Sequence, residues 1–356
     1  NYTGVTRRIM DFCAVLTGRM YGGLSQVNIL LSTLMGGLSG SALADAAMEA
    51  KMLVPEMEKR GYTKGYSSAI TAASSCITPI IPPGIALIIY ATAANCSIGD
   101  MFMAGYVPGI LICIALIVTN YFISRKRGWT GSRERGPTVK EFFHQLGQSI
   151  WALILPLGII MGMRLGWFTP TECAAVTVVY SVFVGAVIYK KLKPAHIKPI
   201  VVESVNNTAS VVLILSAANM FSRYMVWESI PQKAAALLGE VAHNRFTFII
   251  IVMLFMLVLG MFLDTAAALV ILPPLLLPVA TGLGMSVIHF GIVLCLMDTI
   301  GGITPPFGVM MFAVMGATKV SVKDYLKEGW PLIVAVFAVI LFVAFVPQSC
   351  MFLVNL

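Results

Sequence analysis

Six apolar stretches set the terms on which this chain can fold. Phe102–Ser124, Ile150–Leu165, Ala174–Tyr189, Val201–Met225, Phe246–Leu263 and Trp330–Val346 mostly approach the roughly 20 residues a helix needs to cross a bilayer. Inside lipid no water replaces a lost backbone hydrogen bond, so spanning segments must be helices or closed barrels. The 356 residues are 58% hydrophobic and only 11% charged, with a mean hydropathy of +0.88, far from the make-up of a soluble domain. The fold class that follows is an all-α polytopic membrane protein.

Against that rule stands "GGITPPFG", Gly301–Gly308, set between two apolar segments that would otherwise join into one helix. "ITPIIPPG", Ile77–Gly84, has the same character in the first half of the chain. Prolines remove amide donors and glycines loosen the backbone, so both segments predict discontinuous helices. Broken backbone at membrane depth is tolerated where the freed groups line a site and not lipid. A proline kink that only shapes packing is the bland reading, and two related breaks weigh against it.

The net charge of +8 has a topological explanation. Basic residues sit in short loops beside apolar helices and form no soluble basic face, which argues against nucleic acid. The loops Arg125–Lys140 and Tyr189–Lys198 are separated by two helices, so both lie on one side, the cytoplasmic one. Lys319, Lys323 and Lys327 join them only if one apolar pair fails to cross. Leu30–Lys59 fits as a re-entrant helical hairpin with its tip at Gly36–Ser41 and Lys51, Lys59, Arg60 and Lys64 at its base. Phe246–Pro278 repeats the form, but its base, Val279–Val287, has no lysine or arginine and suits the opposite side.

The halves also repeat in sequence. Asp45 and Asp264 are offset by 219 (264−45), as are Pro55 and Pro274. Pro82 and Pro83 match Pro305 and Pro306 at 223 (305−82), and Gly84, Ser97, Asp100 and Gly105 match Gly308, Ser321, Asp324 and Gly329 at 224 (308−84). With the loop charges, this reads as two inverted-topology repeats, each carrying one re-entrant hairpin and one discontinuous helix. Secondary transporters of that construction hold substrate and ions near the midplane.

"GGLSGSALADAAMEAKMLVPEMEKRGY", "TAASSCITPIIPPG", "NCSIGDMFMAGYVPG", "WFTPTECAAV", "LGMFLDTAAALVILPPLLLPVA" and "HFGIVLCLMDTIGGITPPFG" resemble the large membrane subunit of tripartite ATP-independent periplasmic (TRAP) transporters, over nearly the whole chain. The resemblance implies an elevator-type transporter of the bacterial inner membrane, driven by a sodium gradient. It further implies an organic anion substrate, a periplasmic binding protein that delivers it and a small membrane subunit alongside. Large subunits of that family normally begin with further hydrophobic helices, so a longer parent chain is expected. A binding-protein-independent sodium/dicarboxylate symporter of related architecture is the alternative, distinguished by its indifference to a periplasmic partner.

Sodium asks for several oxygen ligands, which backbone carbonyls at broken helices and nearby hydroxyls supply. In the first half the candidates are Ser39, Gly40 and Ser41 at the hairpin tip, facing Ser75, Thr78 and Pro79. In the second half they are Gly260 and Thr265, facing Gly301, Gly302 and Thr304, with Asp298 adding charge for an ion or substrate. Asp45 and Asp264, just past the tips, are expected to stabilise them by capping the second helix of each hairpin. No cofactor is expected beyond sodium as coupling ion. Helix starts at Pro83/Gly84 and Pro306/Phe307 are candidates to face a substrate carboxylate.

Other features read as structural. Arg7, Arg8 and Arg19 lie beside apolar residues at helical spacing, an interfacial helix bracing a static scaffold, with Pro231–Ala242 as its counterpart. Arg164 and Arg223 read as snorkelling cations, the seven cysteines as small core residues, and His144, His196, His243 and His289 as loop or interface residues. "GLSG" at Gly37–Gly40 fits a protease-like GxSG pattern, but no histidine is placed to activate Ser39, so an enzyme is not expected. The resulting organisation is a scaffold element over 1–29, first-repeat transport elements over 30–101, scaffold helices over 102–245, second-repeat transport elements over 246–324 and a C-terminal scaffold helix over 325–356.

Overall fold

The computed structural model describes residues 3–131, 138–165, 167–229, 233 and 244–355, and every regular element among them is helical. Among the described residues five stretches are long and apolar enough to cross a membrane: Ile98–Arg127, Thr171–Ile188, Pro194–Ile214, Thr265–Gly282 and Val322–Phe345. That makes the chain a polytopic membrane protein. Pro231–Ala242, expected to form a second interfacial helix, lies outside the described residues except Lys233.

The chain opens with α1 (Val5–Thr17), whose Ile9, Phe12, Cys13 and Val15 are buried while Arg7 is exposed. Its polar side reaches neighbours. The Arg8 guanidinium sits 4.4 Å over the Tyr189 ring and donates to Gln148 at 3.2 Å. Next comes a first helical hairpin, α2 (Gly23–Gly36) and α3 (Ala42–Met52), with α4 (Val54–Lys59) continuing past a kink at Leu53, where Pro55 restricts the backbone. A broken helix follows: α5 (Lys64–Ser75), an irregular segment through Gly84, then α6 (Ile85–Ala93). The long α7 (Ile98–Arg127), α8 (Val139–Arg164), α9 (Pro170–Phe183, extended by a π-helical turn Val184–Ile188) and α10 (Ile197–Trp227) come next. Exposed apolar side chains along α9 and α10, among them Val179, Leu213 and Met220, are those of helices that meet lipid.

The second half then rebuilds the first. Its hairpin is α11 (Arg245–Leu259) and α12 (Thr265–Gly282), and its broken helix is α13 (Val287–Ile303) and α14 (Val309–Thr318). The long α15 (Val322–Phe345) and the short α16 (Gln348–Met351) complete the chain. Phe246–Leu263, expected as a spanning stretch, is thus a hairpin arm that stops at Leu259.

The helix boundaries correct the repeat register. Ser41 and Asp264 cap α3 and α12 at an offset of 223 (264−41), and α5 and α13 begin at the same offset (287−64). After one inserted residue, α6 and α14 begin at 224 (309−85), as do α7 and α15 (322−98). The pairing of Asp45 with Asp264 at 219 is therefore a coincidence of residue type; in the structural register Asp45 falls opposite Ala268. The two hairpins are also unequal. The second arm has 18 residues in one half and 11 before the kink in the other.

Packing crosses between the halves: α14 lies on α3 of the first hairpin, and α6 lies on α12 of the second. Small residues permit these approaches. Gly329 of α15 meets Ala69 of α5, and Tyr90 of α6 covers Gly291 of α13. Hydrogen bonds secure the crossings, Ser68 to Thr318 at 3.0 Å and Tyr90 to the Val287 carbonyl at 2.8 Å, and within the second half Tyr325 bonds the Ile303 carbonyl at 3.2 Å. His289, expected in a loop or interface, is instead buried in the first turn of α13, 3.0 Å from the Val343 carbonyl.

Candidate functional site

In the first half the tip between α2 and α3 spans residues 37–41, with Gly40 at φ +60°, a backbone conformation that side chains disfavour. The tip lies on its own broken helix. The Gly40 carbonyl accepts from the Ile85 amide at 3.2 Å, and a Cβ on Gly36 would fall 2.9 Å from that of Ile81. Ser41 caps α3 by accepting from Ala44 at 3.4 Å. Asp45 therefore does not cap, contrary to expectation. It sits one turn further on, buried to 1% exposure, and accepts from the Thr78 hydroxyl at 2.7 Å. A hydroxyl nearer the helix start already does the capping, which frees the carboxylate to reach across to the break.

The second half achieves the same contact with the partners exchanged. Asp264 caps α12, accepting from Ala266 at 3.0 Å, and the next residue, Thr265, donates to Asp298 of α13 at 2.6 Å. Gly260 at the tip meets Gly301: a Cβ added to Gly301 would lie 2.7 Å from the Gly260 Cα. Gly301 and Gly302 belong to the last turn of α13, so the irregular segment begins at Thr304, later than expected. Glycine suits that turn because the opposing tip leaves no room for side chains. The Thr304 hydroxyl donates back to the Ile300 carbonyl at 2.6 Å, leaving its lone pairs available. Each half thus carries a carboxylate–threonine bond joining hairpin to broken helix, with the acid on the hairpin in one half and on the broken helix in the other.

Met310 of α14 connects the two breaks. Its sulfur lies 3.8 Å from the Ser75 hydroxyl, and its methyl packs on Gly302. The Ser75 hydroxyl also donates to Ala72 within its own helix at 2.8 Å, and Gly84 folds back against the Pro79 carbonyl. Of the tip residues, Ser39 keeps a buried hydroxyl with no hydrogen-bond partner. It lines a cavity of about 250 Å³ together with Asp45, Met48, Leu155 and Tyr180. At the second tip Phe262 and Phe307 are exposed and pack 5.0 Å apart between ring centres. α6 and α14 begin after Gly84 and Gly308 without side-chain caps; the Ile85 amide is taken by the Gly40 carbonyl, and the following first-turn amides lack a side-chain acceptor.

The chemistry of this arrangement is that of oxygen. Hydroxyls, carbonyls and single carboxylates converge, a set suited to hard monovalent or divalent cations. Among the described residues, no group of three or more histidine, cysteine, aspartate or glutamate side chains comes together, as a transition-metal site usually requires. Arg223 is exposed on α10, and the Arg164 side chain lies outside the described residues.

One group was missed from sequence. Glu49 is fully buried on α3, one turn beyond Asp45, and accepts from Ser32 of α2 at 2.8 Å. Beside it, Asn28 of α2 bonds Thr71 and Ser74 of α5, each at 2.7 Å. The signal was present: Asp45 and Glu49 on α3, and Asn28 and Ser32 on α2, both stand at the four-residue spacing that places side chains on one helix face.

Comparison with known proteins accords with the geometry. Residues 1–349 match the family model "Tripartite ATP-independent periplasmic transporter, DctM component". The chain is 37% identical, over its whole length and 83% of the relative's, to the sialic acid TRAP transporter large permease protein SiaM of Vibrio cholerae. It is 30% identical over 99% of its length, and 82% of the relative's, to the C4-dicarboxylate TRAP transporter large permease protein DctM of Pseudomonas aeruginosa. The sialic acid TRAP transporter permease protein SiaT of Haemophilus influenzae is 36% identical, and there the chain spans 58% of the relative's length. These relatives are transport proteins and not enzymes, and the chain belongs to the DctM family of TRAP transporter large permease subunits.

Proposed function

We propose that this protein is the membrane-embedded carrier of a sodium-coupled system that takes up an organic acid anion from a periplasmic binding protein. The observation that carries the reading is the doubled contact of hairpin tip and broken helix, Asp45 with Thr78 and Thr265 with Asp298. Each contact sits among carbonyls and hydroxyls, so each offers one sodium-sized cradle. The first is formed by Ser39, Gly40 and Ser41 with Ser75, Thr78 and Pro79. Gly260, Thr265, Asp298, Gly301, Gly302 and Thr304 form the second.

The mechanism follows from charge and order. A cation at either cradle draws oxygens of the tip and of the break together, which fixes the tip. Sodium also offsets the negative charge that an acid substrate brings. The uncapped starts of α6 and α14 then offer amides to the substrate carboxylate. The two repeats have opposite orientation in the bilayer, with their hairpins re-entrant, and the hairpin-bearing part moves across the membrane against α1 and α7 to α10 as an elevator. The names of relatives support an acidic cargo: sialic acid, C4-dicarboxylate, 2,3-diketo-L-gulonate and isethionate. The partners are a small membrane subunit and the periplasmic binding protein, and the location is the bacterial inner membrane.

The test is uptake by the reconstituted complex, with and without its binding protein, in sodium against potassium. Uptake requiring both sodium and the binding protein is expected. Equal uptake in potassium would remove the coupling ion, and uptake without the binding protein would favour an independent symporter.

A further inference from the structure

Inside the first hairpin, behind the tip, lies a buried acid that the carrier mechanism does not use, Glu49, one turn from Asp45, whose bond to Thr78 that mechanism does use. Asp45 and Glu49 are 1% and 0% exposed on one face of α3, each with one oxygen bonded to a neutral hydroxyl. The other oxygen of each, Oδ1 of Asp45 and Oε1 of Glu49, is buried and has no donor. Buried acceptors are nearly always satisfied, because an unpaired one forfeits its hydration with nothing in return. A carboxylate behaves so most strongly, and two adjacent ones repel each other.

The surroundings provide no counter-charge. α2 and α14, both packed on α3, carry no titratable residue. α5 brings Lys64, which is exposed and 3.9 Å from Glu58, and Tyr66, whose hydroxyl is bonded to Asn120. α4 brings Glu56, Glu58 and Lys59, all exposed, and Lys51 of α3 itself is exposed. What faces Glu49 instead is neutral oxygen. Ser32 Oγ donates to Glu49 and keeps its lone pairs, and the Ser74 hydroxyl donates to Asn28 and does the same. Two unpaired carboxylate oxygens and two hydroxyls with free lone pairs form an oxygen cage in want of one positive charge. Asp45 borders the cavity of about 250 Å³ that also reaches Ser39, which gives an ion a route in.

We infer that Glu49, with Asp45, Ser32 and Ser74, holds a sodium ion inside the first hairpin, separate from the cradles at the tips. The ion joins α2, α3 and α5 through one charge, so the hairpin and the broken helix are fastened below the tip as well as at it. Nothing in this assignment requires the tip cradles to bind sodium.

The experiment measures sodium bound per transporter, by isotope binding to the purified complex, and the thermal unfolding midpoint in sodium against choline at constant ionic strength and pH 8. Glu49→Gln is expected to bind one sodium fewer than the wild type. It should lose roughly half or more of the sodium-dependent rise in midpoint, since stabilisation tracks ligand occupancy. In choline its midpoint should lie above that of the wild type, because an uncompensated charge is gone. A Glu49→Gln protein with undiminished sodium binding overturns the inference and leaves the tip cradles standing; a wild type that binds no sodium overturns both. Should Glu49→Gln fail to fold, infrared difference spectra of the wild type and of Asp298→Asn decide. In Asp298→Asn, which removes the tip-cradle carboxylate, a carboxylate band that still shifts on sodium addition at fixed pH supports the site, and a carboxylic-acid band indifferent to sodium shows a proton there and overturns it.

Discussion

The bond between Thr265 and Asp298 is the place to weigh a single residue. Its 2.6 Å length and the burial of Asp298 to 4% exposure mean that removing the hydroxyl leaves a carboxylate oxygen without its donor. Such a loss costs about 1–3 kcal/mol, a change of roughly fivefold to a hundredfold in an equilibrium constant, tenfold lying at about 1.4 kcal/mol. Thr265→Val, which keeps the shape, is therefore expected to weaken sodium activation of uptake roughly tenfold, while Thr265→Ser restores it; an unchanged sodium dependence in the valine protein would detach this bond from the ion. The bond also shows what a sequence can convey. Thr265, Asp298, Asp45 and Thr78 all stand out as polar residues in apolar surroundings, but their pairing across 33 positions (298−265 and 78−45) arises only from how hairpin and break stack. Glu49 was hidden for another reason. With Lys51 close by, it reads as the wet side of a short helix, and only the packing of α2 and α5 over that side makes it interior.

Among elements, α7 and α15 are corresponding helices of the two repeats, and they are clamped at one end. Arg127 pairs with Glu328, whose side chain is 16% exposed, and stacks 5.0 Å over Trp129 and 5.5 Å over Tyr66. An exposed pair would contribute little, but this one is half-enclosed by rings, so Arg127→Ala is expected to cost about 1–2 kcal/mol. Adding Glu328→Gln should return part of that, because the stranded charge is then removed. Thermal unfolding of the four proteins in detergent checks the cycle; a further loss on the second substitution would place the cost in the stacking. At this scale the sequence was most readable where proline and glycine punctuate it. The breaks and the tip, expected at Gly36–Ser41 and found at residues 37–41, were signalled by residue type, whereas the helices expected from Phe102 and Trp330 begin earlier, at Ile98 and Val322. The hairpin register was not signalled, since the lone aspartates and one pair of prolines agree on 219 while Pro55 also matches Pro278 at 223 (278−55), and the capping of α3 by Ser41 with the starts of α5 and α13 selects 223.

Across the whole molecule, the proposed inverted topology puts the bases of the two hairpins on opposite faces of the membrane. Arg60, exposed after α4, and Thr281, exposed near the end of α12, report those faces. In intact cells an impermeant maleimide is expected to label Thr281→Cys and spare Arg60→Cys until the membrane is opened. Labelling of both from outside would end the inverted arrangement. The crossed packing has a consequence for how the protein is made. The first hairpin is complete in sequence by Met52, but the helix that covers α3 extends only to Thr318, far along the chain. On a ribosome adding about 5–20 residues each second, the hairpin must therefore wait many seconds in the nascent chain with one side bare. Its acids face α2, α5 and the first break, all made early, so what stays bare through that interval is the other face of α3, and covering it falls on the last helices to emerge.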